Sequence, residues 1–237
     1  MRRPPALLML AWGAALAGGA EAQDCRLALV LALDVSSSVD ASEDRLQREG
    51  LARALVAPGV REAFLAGDPV ALAAFEWSGE HSQVAILSGW ELVTDEADLD
   101  RISRTILDSR RSRSNLPTAV GAALGHAATE LRNAPACRAK TIDVAGDGVH
   151  NDGFSPRLAY ENFPLADVTV NALIVGGAGG EDARLVAWFQ AEVLHGPGAF
   201  SVYTRGYDDY ANAMEAKLLK ELELPMVGGV PLDGAAG

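Results

Sequence analysis

Six apolar runs alternate along the chain with segments whose apolar residues recur at helical spacing. The runs lie at 27–33, 70–75, 84–87, 141–145, 168–175 and 200–203. The helical patterns lie at 40–55, 96–107, 118–131, 156–162, 181–193 and 207–222. Several runs are apolar at nearly every position, as strands are when helices cover both faces of a sheet. This alternation predicts an α/β domain with a doubly wound, mostly parallel six-stranded sheet. The second and third runs are the exception, because "EWSGEHSQ" (76–83) between them is rich in turn residues. A hairpin there makes one edge strand antiparallel. Asp40 and Glu43 form a capping-box pattern at the first helix. In the last helix Met214, Leu218 and Leu222, spaced four apart, predict the buried stripe. The stretch "GGAGG" (176–180) fits neither dinucleotide nor P-loop spacing and reads as a plain loop.

The two ends depart from the pattern. Arg2 and Arg3 precede an apolar Ala/Leu-rich stretch at 6–20, and Ala20-Glu21-Ala22 supplies the small-x-small site of a signal peptidase. Residues 1–22 therefore read as a signal peptide, with the mature chain starting at Gln23. The stretch is short for a membrane span of about 20 residues, so the mature chain is expected in the periplasm or secreted. The domain is expected over 23–223, followed by a Pro/Gly-rich flexible tail at 224–237. A net charge of −12 disfavours binding to a nucleic-acid backbone. The two cysteines, Cys25 and Cys137, suit one disulfide in an oxidising compartment.

The chemistry sits where apolar runs end. "LALDVSSSVD" (31–40) finishes the first strand in Asp34, Ser36 and Ser38 at alternate positions, so a tight loop aims three oxygens at one point. Asp147 follows the fourth strand, and "NLPTAVGAAL" (115–124) puts Thr118 at a helix start before a glycine that permits close packing. Ligands of such sheets bind beyond the carboxyl ends of the central strands. Two carboxylates and three hydroxyls there form a hard oxygen set suited to Mg²⁺, which keeps several waters, with Mn²⁺ or Ca²⁺ as alternatives. Hydroxyl donors leave the ion's charge poorly quenched, so it seeks an acidic oxygen from outside. Taken singly, each segment also fits a turn or a helix cap.

Asp34-x-Ser36-x-Ser38, Thr118 and Asp147, in that order, resemble the metal-ion-dependent adhesion site (MIDAS) of the von Willebrand factor A (VWA) fold. The resemblance covers roughly residues 26–223 and includes the order of strands and helices. "EWSG" (76–79), "GDGVHND" (146–152) and the signal peptide resemble an uncharacterised bacterial family of exported VWA-like proteins. By position, the resemblance implies that Ser36, Ser38 and Thr118 contact the metal and that Asp34 and Asp147 act through waters and hydrogen bonds. Gly146 stands where this fold often has Ser or Thr, and Pro117 where it often has Gly. The implied partner is a protein presenting a carboxylate. The implied last helix can shift along the sheet when the site engages its ligand. First and fourth strands are parallel neighbours in this fold. Cys25 lies nine residues before Asp34 and Cys137 ten before Asp147, so a Cys25–Cys137 disulfide is expected at the opposite sheet end.

An enzyme is the rival class. "GDGVHND" also resembles the acidic loop of haloacid-dehalogenase-type Mg²⁺ phosphatases, which need an Asp nucleophile and a second Asp two residues on. Position 36 is Ser, and Lys140 lies too close to Asp147 to be the separate lysine. The sequence also lacks a Gly-x-Ser-x-Gly elbow and a His-Glu-x-x-His helix. The third reading is a metal-free structural module. Outside the site, His150 reads as a solvated loop residue, "RRSR" (110–113) as a solvated loop with contact to an acidic partner as the lesser alternative, and Trp77 and Trp90 as packing.

Overall fold

The computed structural model describes residues 25–177 and 182–223. The expected signal peptide, the tail and part of the glycine stretch lie outside these residues. Seven strands are present: β1 (Cys25–Asp34), β2 (Val70–Trp77), β3 (Gln83–Ala85), β4 (Glu91–Val93), β5 (Cys137–Gly146), β6 (Thr169–Val175) and β7 (Ser201–Thr204). The helices are α1 (Ala41–Leu55), α2 (Pro58–Leu65), α3 (Glu96–Asp108), α4 (Val120–Arg132), α5 (Pro156–Asn162), α6 (Asp182–Glu192) and α7 (Tyr210–Leu222). A single 3-10 turn, Tyr207–Asp209, leads into α7.

The sheet runs β3-β2-β1-β5-β6-β7, parallel except at the β2 edge. There β3 and β4 both pair antiparallel with β2, at its end and its start respectively. The single edge strand expected from the sequence is thus one edge broken in two. Helix α2 was also not expected; Pro58 at its first turn supplies the fixed φ that opens it. The capping box of α1 is formed, with Asp40 accepting from the Ser42 and Glu43 amides and Glu43 accepting from the Asp40 amide.

Period-two alternation sorts β1 between two cores. Leu27, Leu29, Leu31 and Leu33 pack under α1, α2, α3 and α7, while Ala28, Val30 and Ala32 pack under α4, α5 and α6. The smaller face admits α4 closely. A Cβ on Gly121 of that helix would meet the Phe154 carbonyl oxygen at 1.8 Å, so only glycine fits. Trp77 is fully buried and Trp90 packs at the core edge, bonding the Glu130 carbonyl at 3.2 Å. At the amino ends of β1 and β5 the register sets Cys25 opposite Cys137. The expected disulfide joins them, with Cα atoms 4.3 Å apart.

Candidate metal centre

The register that aligns the cysteines also aligns the other sheet end. Asp34 closes β1, and Asp147 follows Gly146 at the end of the neighbouring β5. From β1 the chain winds one way to β2 and the other way to β5 and β6. The crevice above β1 and β5 is therefore the switch point at which open α/β sheets bind ligands.

The side chains there touch in sequence. The Ser36 amide donates to Asp34 Oδ1 at 2.7 Å, the Ser36 and Ser38 hydroxyls lie 3.1 Å apart, and Ser38 Oγ donates to Asp147 Oδ1 at 2.5 Å. Thr118 enters from the loop before α4. A Cβ on Gly148 would sit 3.6 Å from Thr118 Oγ1 and 3.7 Å from Ser38 Oγ, so Gly148 packs against both hydroxyls. All five expected residues thus gather around 146–148. Asp34, Ser36 and Thr118 are buried, Asp147 is half-buried and Ser38 is exposed, so the cluster opens on the Ser38 side. Thr118 does not start the helix as the sequence pattern implied: Ala119 is the N-cap, without a side-chain bond, and α4 begins at Val120. A Cβ on Gly146 would lie 3.3 Å from Asp34 Oδ2 and 3.2 Å from Phe189 Cζ, which explains glycine where the fold often has Ser or Thr.

Asp34 Oδ2 is buried with no hydrogen-bond partner. Burial first, and the Asp147 charge second, push the Asp34 carboxyl up to about 7, against the pull of bonds from Ser36 and from the Asp147 backbone. Asp147 is also raised, chiefly by burial. Facing carboxylates of this kind are satisfied by a proton or by a cation. Among the described residues no group of three or more His, Cys, Asp or Glu forms a metal cluster. The three hydroxyls and two carboxylates that meet here are hard oxygen donors, a set that would suit a divalent ion retaining part of its water.

Sequence reasoning missed the residues that hold these loops. Arg111, in the run read as solvated, donates to the carbonyls of Val35 and Val39 at 2.6 Å and of Ser36 at 2.7 Å. Gln47 donates to the Asp34 carbonyl at 2.9 Å. Asn151 and Thr118 exchange bonds, Thr118 N to Asn151 Oδ1 at 2.8 Å and Asn151 N to the Thr118 carbonyl at 2.9 Å. Asp152 accepts from the Glu80 amide at 2.8 Å, which ties in the "EWSG" loop. The acidic blocks around the site pointed to Asn151 and Asp152; nothing local marked Arg111 or Gln47. His150 is half-buried and not simply solvated, and burial lowers its pKa.

This sheet, with its five-residue cluster at the switch point, defines a von Willebrand factor A-like domain. The chain belongs to the family described as "Protein of unknown function (DUF1194)", whose model matches residues 24–226. No curated protein shows significant sequence similarity to it. Proximal thread matrix protein 1 (PTMP1) from the mussel byssus is 17% identical at a TM-score of 0.59, covering 83% of this chain and 48% of its own. A second PTMP1 structure, with a zinc-occupied MIDAS motif, is 16% identical at 0.58 over 84% and 48%. The pilus adhesin SpaC from Lactobacillus rhamnosus GG is 14% identical at 0.58, over 84% of this chain and 30% of its own. At these identities the likeness is one of fold. The chain spans about half the length of the PTMP1 chains it matches. No helix among the described residues is long and apolar enough to cross a membrane.

Proposed function

We propose that the chain is an exported VWA-type binding module, periplasmic or secreted, that holds a divalent cation and through it binds a carboxylate of a partner protein. Ser36, Ser38 and Thr118 supply the direct hydroxyl contacts in this reading, and Asp34 and Asp147 act through waters and hydrogen bonds. Mg²⁺ is the expected ion, with Mn²⁺ or Ca²⁺ as alternatives. When bound, the ion supplies an incompletely neutralised positive charge open to an external acidic oxygen. The observation that carries the reading is the buried, unpartnered Asp34 Oδ2 beside the linked Ser36, Ser38 and Asp147 side chains.

Titration calorimetry of wild type and Asp34→Ala with Mg²⁺ tests it. The wild type is expected to bind Mg²⁺, and the variant to lose binding while its circular dichroism stays folded. Equal affinity in both rejects the site. The phosphatase alternative predicts Mg²⁺-dependent turnover of an aryl phosphate, which the binding reading does not.

A further inference from the structure

A cavity of about 210 Å³ lies between α1 and the loop that follows α3. Its walls carry four arginines, Arg45, Arg48, Arg110 and Arg111, against two acids, Asp44 and Glu49; Ala41, Leu107 and Ser109 complete it. Arg48 is buried and pairs with two acids, Asp44 of the wall at 3.0 Å and Glu76 outside it, so its charge is fully offset. Arg111 differs from it. Its guanidinium bonds only to carbonyl oxygens, those of Val35, Ser36, Val39 and Arg113. Carbonyls orient a guanidinium without cancelling its charge. No hydrogen bond or ion pair joins Arg45 or Arg110 to any described residue. Three arginines thus line the cavity against Glu49 in its wall, with Asp40 close enough to Arg45 and Arg111 to feel both charges, on a chain whose net charge is −12.

Arg111 is also the shared wall between this cavity and the metal loop, because the carbonyls it holds belong to residues 35, 36 and 39. Leu107, nearly half exposed, gives the cavity an apolar side. A guanidinium fork matches a carboxylate, and a walled positive pocket concentrates anions against an opposing net charge. We infer that this cavity is a second anion subsite, which takes a carboxylate of an acidic partner segment while another carboxylate of that segment engages the metal centre. The inference rests on the proposed function for the partner's class, and on the arginines alone for the subsite.

The test is fluorescence anisotropy of labelled hexaglutamate in Mg²⁺ and in EDTA, at matched ionic strength. The proteins are wild type, Arg45→Ala/Arg110→Ala and the charge-matched Arg53→Ala/Arg132→Ala, whose arginines lie in the last turns of α1 and α4. Arg45→Ala/Arg110→Ala is expected to weaken hexaglutamate binding by about tenfold or more in both buffers, the scale of lost charge-assisted bonds. The control pair is expected to bind like wild type. Equal weakening by both pairs reads as diffuse charge and overturns the subsite. So does unaltered binding by the cavity pair, or no binding of hexaglutamate to wild type. Wild-type binding that ignores EDTA yet falls in the cavity pair supports the subsite while rejecting the metal reading. Binding that EDTA abolishes and the cavity pair leaves intact does the reverse.

Discussion

At the scale of single residues, the site depends on a side chain that the sequence does not advertise. Arg111 sits in a short basic run with no periodicity, yet it donates to three carbonyls of the metal loop, at Val35, Ser36 and Val39. Removing the guanidinium leaves the Ser36 carbonyl with only its bond from the Val39 amide at 3.1 Å and takes the side-chain donor from Val35 and Val39, at roughly 1–3 kcal/mol for the group as a whole. Arg111→Met is therefore expected to lower the unfolding free energy by about 2 kcal/mol in urea titrations. Arg111→Lys should restore only part of that, since an ammonium cannot fork across several acceptors. Full recovery by Lys would show that charge alone, and not the planar fork, holds the loop.

At the scale of elements, α7 shows what a periodic pattern reveals and what it hides. Met214, Leu218 and Leu222 form the buried stripe that their spacing announces. Lys217 and Glu221 lie on the same helix and are just as buried, although their types mark a solvated face. Their partners explain it. Lys217 Nζ lies 2.6 Å from Asp143 Oδ1 on β5 and 2.7 Å from Glu221 Oε1, and Asn171 on β6 donates to Glu221 Oε1 at 2.9 Å. Lys217 and Glu221 are four apart on one helix, but the bonds to Asp143 and Asn171 join residues far apart in sequence, so no local window contains them. The α/β alternation was legible in the chain order, while the meeting of the five residues and of the two cysteines followed from the resemblance to the VWA fold, in which the first and fourth strands are neighbours. The split edge and the arginine and lysine anchors were not legible, because they depend on tertiary pairing; the eight residues of helix α2 are too few to show a clear period, although Pro58 marks its start. Two carboxylates share one ammonium here, and burial followed by Glu221 pushes Asp143 up to about 7, with Lys217 opposing and Tyr210 packed nearby. An unfolded Asp titrates near about 3.9. The folded state thus keeps a proton that the unfolded chain releases. Its contribution is complete below the unfolded value and is lost as pH rises toward 7. Asp34, Asp44 and Asp147 are shifted in the same direction, so the informative quantity is a difference between proteins. Between pH 5 and pH 8 the Tm of Asp143→Asn is expected to fall less than that of wild type, because Asn needs no proton and leaves Lys217 paired with Glu221. Parallel Tm profiles would reject the assignment. The same pairs anchor α7 in its present register, so any shift of this helix along the sheet must first break the Lys217–Asp143 contact.

At the scale of the molecule, the candidate metal centre and the disulfide occupy opposite ends of one sheet. Asp34 closes β1 and Asp147 follows the carboxyl end of β5, while Cys25 and Cys137 pair at the amino ends of those same strands. The crosslink spans 112 residues of sequence, a loop that includes Asp34, Ser36, Ser38 and Thr118. Closing a loop of that length removes unfolded-chain entropy worth about 4–5 kcal/mol in the chain-entropy account. In the native state the two strands already lie side by side through paired residues from Cys25 to Ala32, so the bond adds little to their placement. Its effect falls on the unfolded ensemble. The double variant Cys25→Ala/Cys137→Ala is therefore expected to lose several kcal/mol in urea unfolding relative to the oxidised wild type. Its Mg²⁺ affinity, measured by calorimetry well below the unfolding transition, is expected to match the wild type. A large loss of affinity with the fold intact would mean that the crosslink sets the spacing of the strand ends as well as the stability of the chain.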